Sequence, residues 1–427
     1  MMDSGTQAPV RTTVHHVLGH PGDLAGHVET HGPLAVSLRR DVPWRQALAD
    51  NLEESGLAGR GGGGFPTSVK VAVACSGGRA GTLVVNGMES EPASDKDKVL
   101  LTRAPHLVLD GAQYLAALCG ASRIVVCIPD SRDDVARMVS LAMSERTTSN
   151  YARVRETMAR PPDRFVAGEE SALVNFLENG QPLPVFRVDK SSPLRIGKHP
   201  ALVQNAETLA HVALIARYGP APFRARGMAE EPGTCLVTIS GAVAQPGVVE
   251  VDRGTSLLDI AALSGPVEFP QALLVGGYGG TWVGPEHFAT PYASIPLRTI
   301  GASAGVGVIV VLGAESCGVA ESARIARFLA DQSAGQCGPC VFGLPAIADD
   351  LTHLARGQAS ADLMPRLVRR LGEVSGRGAC RHPDGAVGLV RSALKTFAED
   401  VVAHERGEPC AHRHNPSSLR FPRPISI

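Results

Sequence analysis

The chain has 427 residues, of which 44% are hydrophobic and 19% are charged, and its formal net charge is −1. This composition is typical of a globular protein with two to four domains, and the near-zero charge argues against nucleic acid as a main partner. No apolar run reaches the roughly 20 residues that span a bilayer, and the N-terminus lacks the apolar core of a secretory signal, so we expect a cytoplasmic protein.

Residues 1–50 have mixed composition and are expected to wrap around the body of the protein. The most informative segment follows at residues 59–70, GRGGGGFPTSVK. Glycines let backbone N–H groups approach a phosphate or a flat ring directly. A helix beginning near Pro66 would direct its N-terminal dipole at the same anion, with Lys70 one turn inside it. The spacing fits neither common phosphate loop, yet it predicts a nucleotide or flavin phosphate site.

From about residue 52 to 220, short β-branched runs alternate with segments of helical periodicity. Residues 82–85 and 123–128 are predicted to be buried strands, and residues 105–117 a helix between them, which indicates a parallel sheet. Residues 201–218 are predicted to be helical because five apolar residues would share one face: Leu202, Ala206, Leu209, Ala213 and Ala216.

The pattern changes near residue 232. Residues 234–239 and 248–251 are predicted to be strands, followed by a short helix within 252–260. Beyond about residue 315 the chain is predicted to be helical, with four short amphipathic segments that suggest a small bundle. Cysteines lie at the joints of this bundle.

Four segments carry a resemblance to a known family. GLAGRGGGGFPTSVK resembles the flavin loop of the NADH-binding, FMN-carrying subunit of respiratory complex I and of the related subunits of NAD-linked hydrogenases and formate dehydrogenases. Later, NGMESEP from Asn86 resembles the family's N-x-x-E-x-E-P, AGEESAL resembles C-G-E-E-T-A-L, and QNAETL resembles N-N-V-E-T-L. The segments occur in the family's order, and the resemblance covers about residues 55–402.

The resemblance implies a non-covalently bound FMN and NADH as the electron donor. Glu91, Glu169 and Glu170 would position NADH for hydride transfer. Without the resemblance, these glutamates would be read as solvated loop charge or an ordinary helix start, and Asn205 as an ordinary cap. The implied cofactor-binding residues are Gly59, Arg60, Gly61, Gly62, Gly64, Phe65, Lys70, Asn86, Glu89, Gln204, Asn205 and Thr208.

Among the departures from the family pattern, three bear on the flavin and NADH site. Met88 stands where the family has Asp, and Val73 and Ile196 stand where aromatic residues are expected. The loss of two stacking faces would weaken adenine binding by roughly 1–3 kcal/mol. The sequence therefore supports FMN more strongly than NADH.

The nine cysteines favour reduced thiols and a metal site over a disulfide framework. Family members hold a [4Fe–4S] cluster with S-C-G-x-C-x-x-C and a distant fourth Cys. This chain supplies Cys337, Cys340 and Cys380, but the first position is Ala334. The resemblance implies either a [4Fe–4S] cluster with an atypical last ligand, such as Cys317, Asp331, water or a partner group, or a [3Fe–4S] cluster. A redox dithiol or simple burial of the CxxC pair is the alternative.

The late segment around Cys410 also places a cysteine beside histidines, and a metal site and a simple tail are both compatible with it.

The predicted architecture is an N-terminal extension (1–50), an α/β flavin domain (51–225), a β-grasp domain of the soluble-ligand-binding type (232–310), a helical iron–sulfur domain (315–405) and a tail (406–427).

The function that follows is an NADH dehydrogenase-like electron-transfer subunit working beside a thioredoxin-like [2Fe–2S] subunit or a ferredoxin. Two alternatives stay open at this point. The protein could exchange electrons between FMN and a ferredoxin without NADH, or it could be a non-catalytic scaffolding paralogue.

Overall fold

The computed structural model describes residues 16–19, 22–36, 42–76, 80–187, 192–423 and 425. Much of the predicted extension, at residues 1–15, 20–21 and 37–41, lies outside this range. Within the described part of the chain, no helix is both long and apolar enough to cross a membrane.

The first half of the chain is built on a five-stranded sheet with the order β3-β2-β1-β5-β4. The first four of these strands run parallel, and the last is antiparallel to its neighbour. The predicted strands at 82–85 and 123–128 are confirmed. The strands are β1 Thr82–Asn86, β2 Arg123–Cys127, β3 Arg155–Ala159, β4 Leu194–Ile196 and β5 His199–Asn205.

Nine helices in the described part of the chain pack around this sheet. They are α1 Leu24–His31, α2 Val42–Ser55, α3 Thr67–Ser76, α4 Lys96–Arg103, α5 Pro105–Cys119, α6 Asp133–Thr148, α7 Glu170–Asn179, α8 Ala206–Tyr218 and α9 Pro220–Arg224. The described parts of the predicted extension pack on this domain, since the Nε2 atom of His27 lies 2.9 Å from Asp110 on helix α5.

The predicted helix over residues 201–218 is wrong in its first five residues. Residues 201–205 belong to strand β5, which pairs with β1 on one side and β4 on the other, and the helix begins only at Ala206. The apolar residues Leu202 and Val203 are buried on both faces of the sheet, so helical periodicity could not distinguish this strand from a buried helix.

A second five-stranded sheet follows, with the order β7-β6-β10-β8-β9. Strand β10 runs parallel to β6 and antiparallel to β8. This sheet has the short helices α10 Leu257–Ala262 and α11 Ser294–Thr299 beside it. Its strands are β6 Thr234–Gly241, β7 Gly247–Asp252, β8 Ala272–Val275, β9 Thr281–Val283 and β10 Val308–Leu312.

The remaining chain is helical, as expected. Five helices occur where the sequence indicated four: α12 Gly318–Asp331, α13 Leu344–Ala355, α14 Leu363–Val374, α15 His382–Thr396 and α16 Ala398–Glu405. Their apolar faces, including Ile325, Leu351 and Leu367, form one core that also receives Trp282 and Tyr278 from the second sheet. The helices are therefore packed onto that sheet.

Helices α5 and α8 approach each other closely at Gly111. A Cβ atom at this position would lie 1.9 Å from the carbonyl oxygen of Leu209. We expect Gly111→Ala to lower the free energy of unfolding by about 3 kcal/mol or more, because two helix backbones must separate. Urea denaturation followed by circular dichroism measures this change.

The matched control is Gly372→Ala, at an exposed helical glycine whose added Cβ would contact no atom within 4 Å. The free energy of unfolding of this variant is expected to rise by roughly 0.5–1 kcal/mol, because Ala is more favourable than Gly in an exposed helix interior. Equal stabilities of the two variants would contradict the close approach of α5 and α8.

Candidate functional site

Two asparagines lie side by side where adjacent strands end. Asn86 and Asn205 are the last residues of β1 and β5, and they are paired in the parallel register. The chain leaves β1 towards β2 on one side of the sheet, whereas β5 lies on the other side. Ligands of open α/β sheets bind at such a reversal of strand order, outside the carboxyl ends of the strands.

The glycine loop closes over this point. Its base is fixed by a hydrogen bond from the backbone N–H of Gly59 to the carbonyl of Phe65 (2.9 Å). The N–H of Arg60 donates to the Oγ1 of Thr208 at 2.9 Å, in the first turn of α8. A Cβ at Gly61 would lie 3.1 Å from the Cβ of Asn205, so the loop backbone packs directly on that asparagine. The glycine loop and the start of α8 are therefore in direct contact.

A cavity of about 280 Å³ lies between the two sheets and the C-terminal helices. Its walls include the predicted residues Gly61, Asn86, Glu89, Glu91 and Asn205. Several residues that the sequence did not single out for the site also line it: Ser94, Lys96, Phe165, Gly276, Gly279, Gly305, Val306, Arg381, His382 and Gly385. The second sheet and the C-terminal helices thus complete a site that begins on the first sheet.

Two further cavities adjoin the first. One of about 260 Å³ lies behind the glycine loop and is lined by Arg60, Gly62 and Gly64. Another of about 890 Å³ shares Glu91 and Phe165 with the central cavity. Small-molecule sites commonly enclose about 300–1,000 Å³, so the three cavities together have room for a flavin nucleotide and a second substrate.

Glu89 lines the cavity, but its carboxylate is already engaged. It accepts hydrogen bonds from the backbone N–H groups of Asp97 (3.0 Å) and Lys98 (2.8 Å) and from the hydroxyl of Ser94 (2.6 Å). Burial, followed by the nearby Asp97 carboxylate, raises the pKa of Glu89. This residue caps the first turn of α4 and fixes the cavity wall.

Glu91 has the most perturbed carboxyl group of the predicted site. Its side chain accepts hydrogen bonds from the backbone N–H groups of Tyr278 (2.9 Å) and Ala93 (3.2 Å). Burial raises the pKa of Glu91 to about 7. A buried carboxyl of this kind in a cavity is typical of functional sites.

A buried lysine in the cavity wall forms ion pairs with carboxylates of helices α4 and α8. The Nζ of Lys96 lies 2.8 Å from Asp97 and 2.9 Å from Glu207, and Asp97 also accepts a hydrogen bond from the side chain of Asn205 (2.6 Å). Burial alone would lower the pKa of Lys96, but the two carboxylates outweigh burial and raise it. The sequence showed Lys96 beside Asp97 without any signal that it is buried.

The remaining predicted residues lie at the rim or behind the cavity. Glu169 caps α7 by accepting hydrogen bonds from the N–H groups of Ser171 and Ala172. Glu170 forms an ion pair with Lys70. Neither Glu169 nor Glu170 lines the central cavity. Phe65 is 53% exposed and leaves an aromatic face open for stacking. Gln204 is buried, and its Nε2 has no hydrogen-bond partner among the described residues.

The three predicted cluster cysteines come together at the joints of the C-terminal helices. Cys337 and Cys340 flank the start of a π-helical turn, Pro339–Gly343, that leads into α13. Burial raises the pKa of Cys340 to about 12, with further contributions from the Cys337 and Cys380 thiols. Burial also raises the pKa of Cys380, and Glu169 and Cys337 add to the rise.

Cys317 does not join these three. It caps the start of α12, whereas Cys337 follows the end of that 14-residue helix, which is about 20 Å long. Cys317 as a candidate for the last iron ligand is therefore wrong, because this separation is too large. Ala334 has no side chain that can bind iron.

The cysteine site and the cavity share one stretch of chain. Cys380 directly precedes Arg381 and His382, which line the cavity. The Nε2–H of His382 donates to the carbonyl of Leu329 (2.7 Å), and its ring lies 5.4 Å from that of Phe165. These contacts fix the segment between the two sites.

The residues present fit both cofactors that the resemblance implies. In the central cavity the hydroxyl of Ser90 is buried without a hydrogen-bond partner among the described residues, as expected where a bound polar ligand supplies one. The loop N–H groups and the start of α8 suit a phosphate. Three neighbouring thiols suit iron, with one position left for another ligand.

Comparisons with known proteins agree with this geometry. Residues 52–214 match the family model of the Nuo51 FMN-binding domain, and residues 320–404 match that of the NADH-ubiquinone oxidoreductase-F iron–sulfur binding region. An NADH-quinone oxidoreductase subunit of Rhizobium meliloti is 28% identical over 85% of this chain and 90% of its own length. The corresponding NADH-quinone oxidoreductase subunit of Streptomyces coelicolor is 29% identical over 86% of each chain.

A solved structure is also similar. A chain of an NAD+-reducing [NiFe]-hydrogenase in the H2-reduced state matches with a TM-score of 0.78 and 31% identity over 84% of the present chain. The match spans 63% of that hydrogenase chain, so the hydrogenase chain is the longer of the two.

The pKa of Glu91 predicts a pH-dependent contribution to stability. Because the folded value is about 7 against an ordinary 4.5, this contribution is fully present below about pH 4.5 and is lost as pH rises through about 7. We expect Glu91→Gln to become more stable relative to wild type over this interval, by on the order of 3 kcal/mol. Urea denaturation of the cofactor-free protein at pH 5, 6, 7 and 8 measures the difference.

The control is Glu373→Gln, which replaces a largely exposed glutamate on α14. Its stability relative to wild type should not change with pH in this way, because its carboxyl group is not buried. A stability difference between Glu91→Gln and wild type that stays constant across this pH range would contradict the buried state of Glu91.

Proposed function

This chain belongs to the family of FMN-binding, iron–sulfur-carrying subunits of NADH-quinone oxidoreductases and NAD-linked hydrogenases, and from this premise we propose that it is an NADH-oxidising electron-transfer subunit. The observation that carries the proposal is the segment from Cys380 to His382, which belongs to the cysteine site at one end and to the cavity at the other. An electron carrier needs such adjacency between its two cofactors.

We propose that Gly61, Gly62 and Gly64 offer backbone N–H groups to the flavin phosphate, together with Thr208 at the start of α8. Gly59 and Arg60, whose N–H groups already bind within the protein, would hold the loop in place for this contact. Asn86, Glu89 and Asn205 form the wall against which the ring would lie. FMN, when bound, accepts a hydride and releases electrons one at a time, and an iron–sulfur cluster takes them singly.

The glutamates position the substrate and need not transfer a proton. Glu91 lies between the central and the large cavity, where it would orient the nicotinamide of NADH. The Lys70–Glu170 ion pair holds the rim, and the exposed face of Phe65 would stack on the substrate. Phe165 and His382, whose rings lie 5.4 Å apart, line another part of the central cavity.

Cys337, Cys340 and Cys380 would hold the cluster, and the position of Ala334 leaves one iron to a ligand other than cysteine or yields a [3Fe–4S] form. Phe342, two residues beyond Cys340, is 76% exposed. The adjacent Val341 is also exposed, and contiguous exposed apolar surface marks interaction sites, so we propose that the electron-accepting partner, a thioredoxin-like [2Fe–2S] subunit or a ferredoxin, docks here.

The finer domain description belongs to the same proposal. The mixed sheet of β6–β10 with α10 beside it suits a β-grasp domain of the soluble-ligand-binding type at 232–310. The helices of 315–405 suit a four-helix iron–sulfur bundle extended by α16. The boundaries at 51–225 and 406–427, and a cytoplasmic location, stay predictions.

Electron transfer to or from a ferredoxin without NADH is a second candidate. It is favoured by Val73 and Ile196, which are only partly buried and offer no aromatic face for the adenine. A non-catalytic scaffold, favoured by Ala334, is the third.

Anaerobic stopped-flow mixing with NADH separates these functions. We expect the absorbance of FMN-reconstituted protein to bleach, with a rate lowered about 5- to 150-fold in Phe65→Ala because stacking of this kind is worth about 1–3 kcal/mol per base. Phe269→Ala, at an exposed phenylalanine of the second sheet, is the matched control. Flavin that dithionite reduces but NADH does not would contradict NADH as the donor, and protein that binds no FMN would support the scaffold.

The cluster is tested by iron and sulfide analysis with EPR after anaerobic purification. Cys340→Ala is expected to lose the cluster signal because it removes a thiolate ligand, whereas Cys75→Ser, at a thiol paired with Cys119, is expected to keep it. Full iron content in Cys340→Ala would contradict the assignment.

A further inference from the structure

A second group of metal-binding side chains lies away from the proposed cluster. The donor atoms of Cys317, His404 and Cys410 all lie within 4.8 Å of one another. Cys317 precedes α12, His404 lies near the end of α16, and Cys410 follows that helix. The start of α12 thus meets the chain at the end of α16, and together they direct two sulfurs and one imidazole nitrogen at a single point.

The spacing of these donors matches one ion and not a multi-iron cluster. The Sγ of Cys317 is 3.5 Å from the Nε2 of His404. Zinc binds sulfur at about 2.3 Å and imidazole nitrogen at about 2.0–2.1 Å in a tetrahedron, which places two such ligands about 3.5 Å apart. An iron–sulfur cluster distributes its thiolates over different irons, so its ligands lie farther apart than these donors do.

The imidazole of His404 is oriented for binding. Its Nδ1–H points at the carbonyl oxygens of Leu354 (3.2 Å) and Ala355 (3.1 Å), which leaves Nε2 as an acceptor on the side of the two cysteines. Nε2 accepts a long hydrogen bond from the backbone N–H of Cys410 (3.4 Å), which a bound ion would replace. Metal-bound histidines typically donate their other N–H to a carbonyl or carboxylate in this way. The side chain is fully buried, so its orientation is fixed by packing.

We propose that Cys317, His404 and Cys410 bind one zinc ion, with water in the fourth position. Two thiolates balance the charge of the ion inside the helical core. The donor atoms must move slightly closer together to bind one ion. We expect Cys410 to make this movement, because it lies half-buried in an irregular segment before a short 3-10 turn.

The ion would fasten the C-terminal segment, here residues 410–423, to α12. Beyond Cys410 this segment follows the helix: Ser417 donates to Glu321 (2.6 Å), and the guanidinium of Arg420 lies 2.6 Å from Asp95. Arg420 and Phe421 then line the large cavity next to Glu91. The zinc site is thus the first attachment of a segment whose other end forms a wall of the proposed substrate cavity.

The test measures metal in the full-length protein purified without added zinc and then dialysed with it. We expect about one zinc per chain in wild type and a loss of most of it in Cys410→Ser and His404→Gln, because each removes a ligand. Cobalt substituted for zinc should give thiolate-to-metal charge-transfer absorption and intense tetrahedral bands. Cys410→Ser, at a half-buried position, keeps the test valid if the His404 variant fails to fold.

Cys75→Ser is the matched control, since the Sγ atoms of Cys75 and Cys119 lie 2.8 Å apart and belong to no such group with a histidine among the described residues. It should keep its zinc, and Cys337→Ala, which affects the other cysteine site, should keep it too. Hydrogen exchange of residues 410–423 should rise in Cys410→Ser and stay unchanged in Cys75→Ser. Equal zinc content in Cys410→Ser and wild type, a Cys317–Cys410 disulfide, or iron as the bound metal would overturn the proposal.

Discussion

One buried ammonium group holds the site together. Lys96 is 1% exposed and lies between Asp97 and Glu207. Glu207 also accepts a hydrogen bond from the backbone N–H of Leu236 (2.8 Å) at the start of the second sheet. The carbon chain of Lys96 packs so closely on Gly307 that a Cβ there would lie 3.0 Å from its Cδ.

This charge network connects three parts of the fold. Helix α4 brings Lys96 and Asp97, helix α8 brings Glu207, and strand β6 contributes the N–H of Leu236. Removing one member of a buried ion pair leaves an uncompensated charge and costs about 3–5 kcal/mol. The network therefore links helices α4 and α8 to strand β6, beside the cavity that both halves of the fold line.

The sequence predicted the parts of this arrangement that depend on local pattern. Helix α5 was recognisable from its Pro105 start and continuous apolar character, and β1 from its β-branched run. Strand β5 was not, because a strand buried on both faces has no alternation to show. Its last residue, Asn205, caps the start of α8, although the predicted helix placed it inside that helix and the cap was only the alternative to a flavin-phosphate contact.

The site residues also fall into those that local motifs predicted and those that only the tertiary packing reveals. Residues on the glycine loop and beside the strand ends were visible as motifs, and most of them lie at the cavity or the loop beside it. The roles of Glu89 and Glu169 as helix caps depend on partners within ten residues, but the pattern alone did not reveal that their oxygens are occupied. Arg381 and His382 carried no signal, because only the packing of the last helices against Phe165 and Leu329 brings them to the cavity.

The central cavity has a consequence for biosynthesis. Its walls come from the glycine loop at Gly61, from the turns at Gly276 and Gly305 in the second sheet, and from Arg381 to Gly385 at the start of α15. A nascent chain that has exposed only the first sheet offers the phosphate end of the site without the rest. Flavin insertion is therefore a late event, which follows the emergence of the C-terminal helices from the ribosome, and the cofactor would stabilise the assembled protein and not its first domain alone.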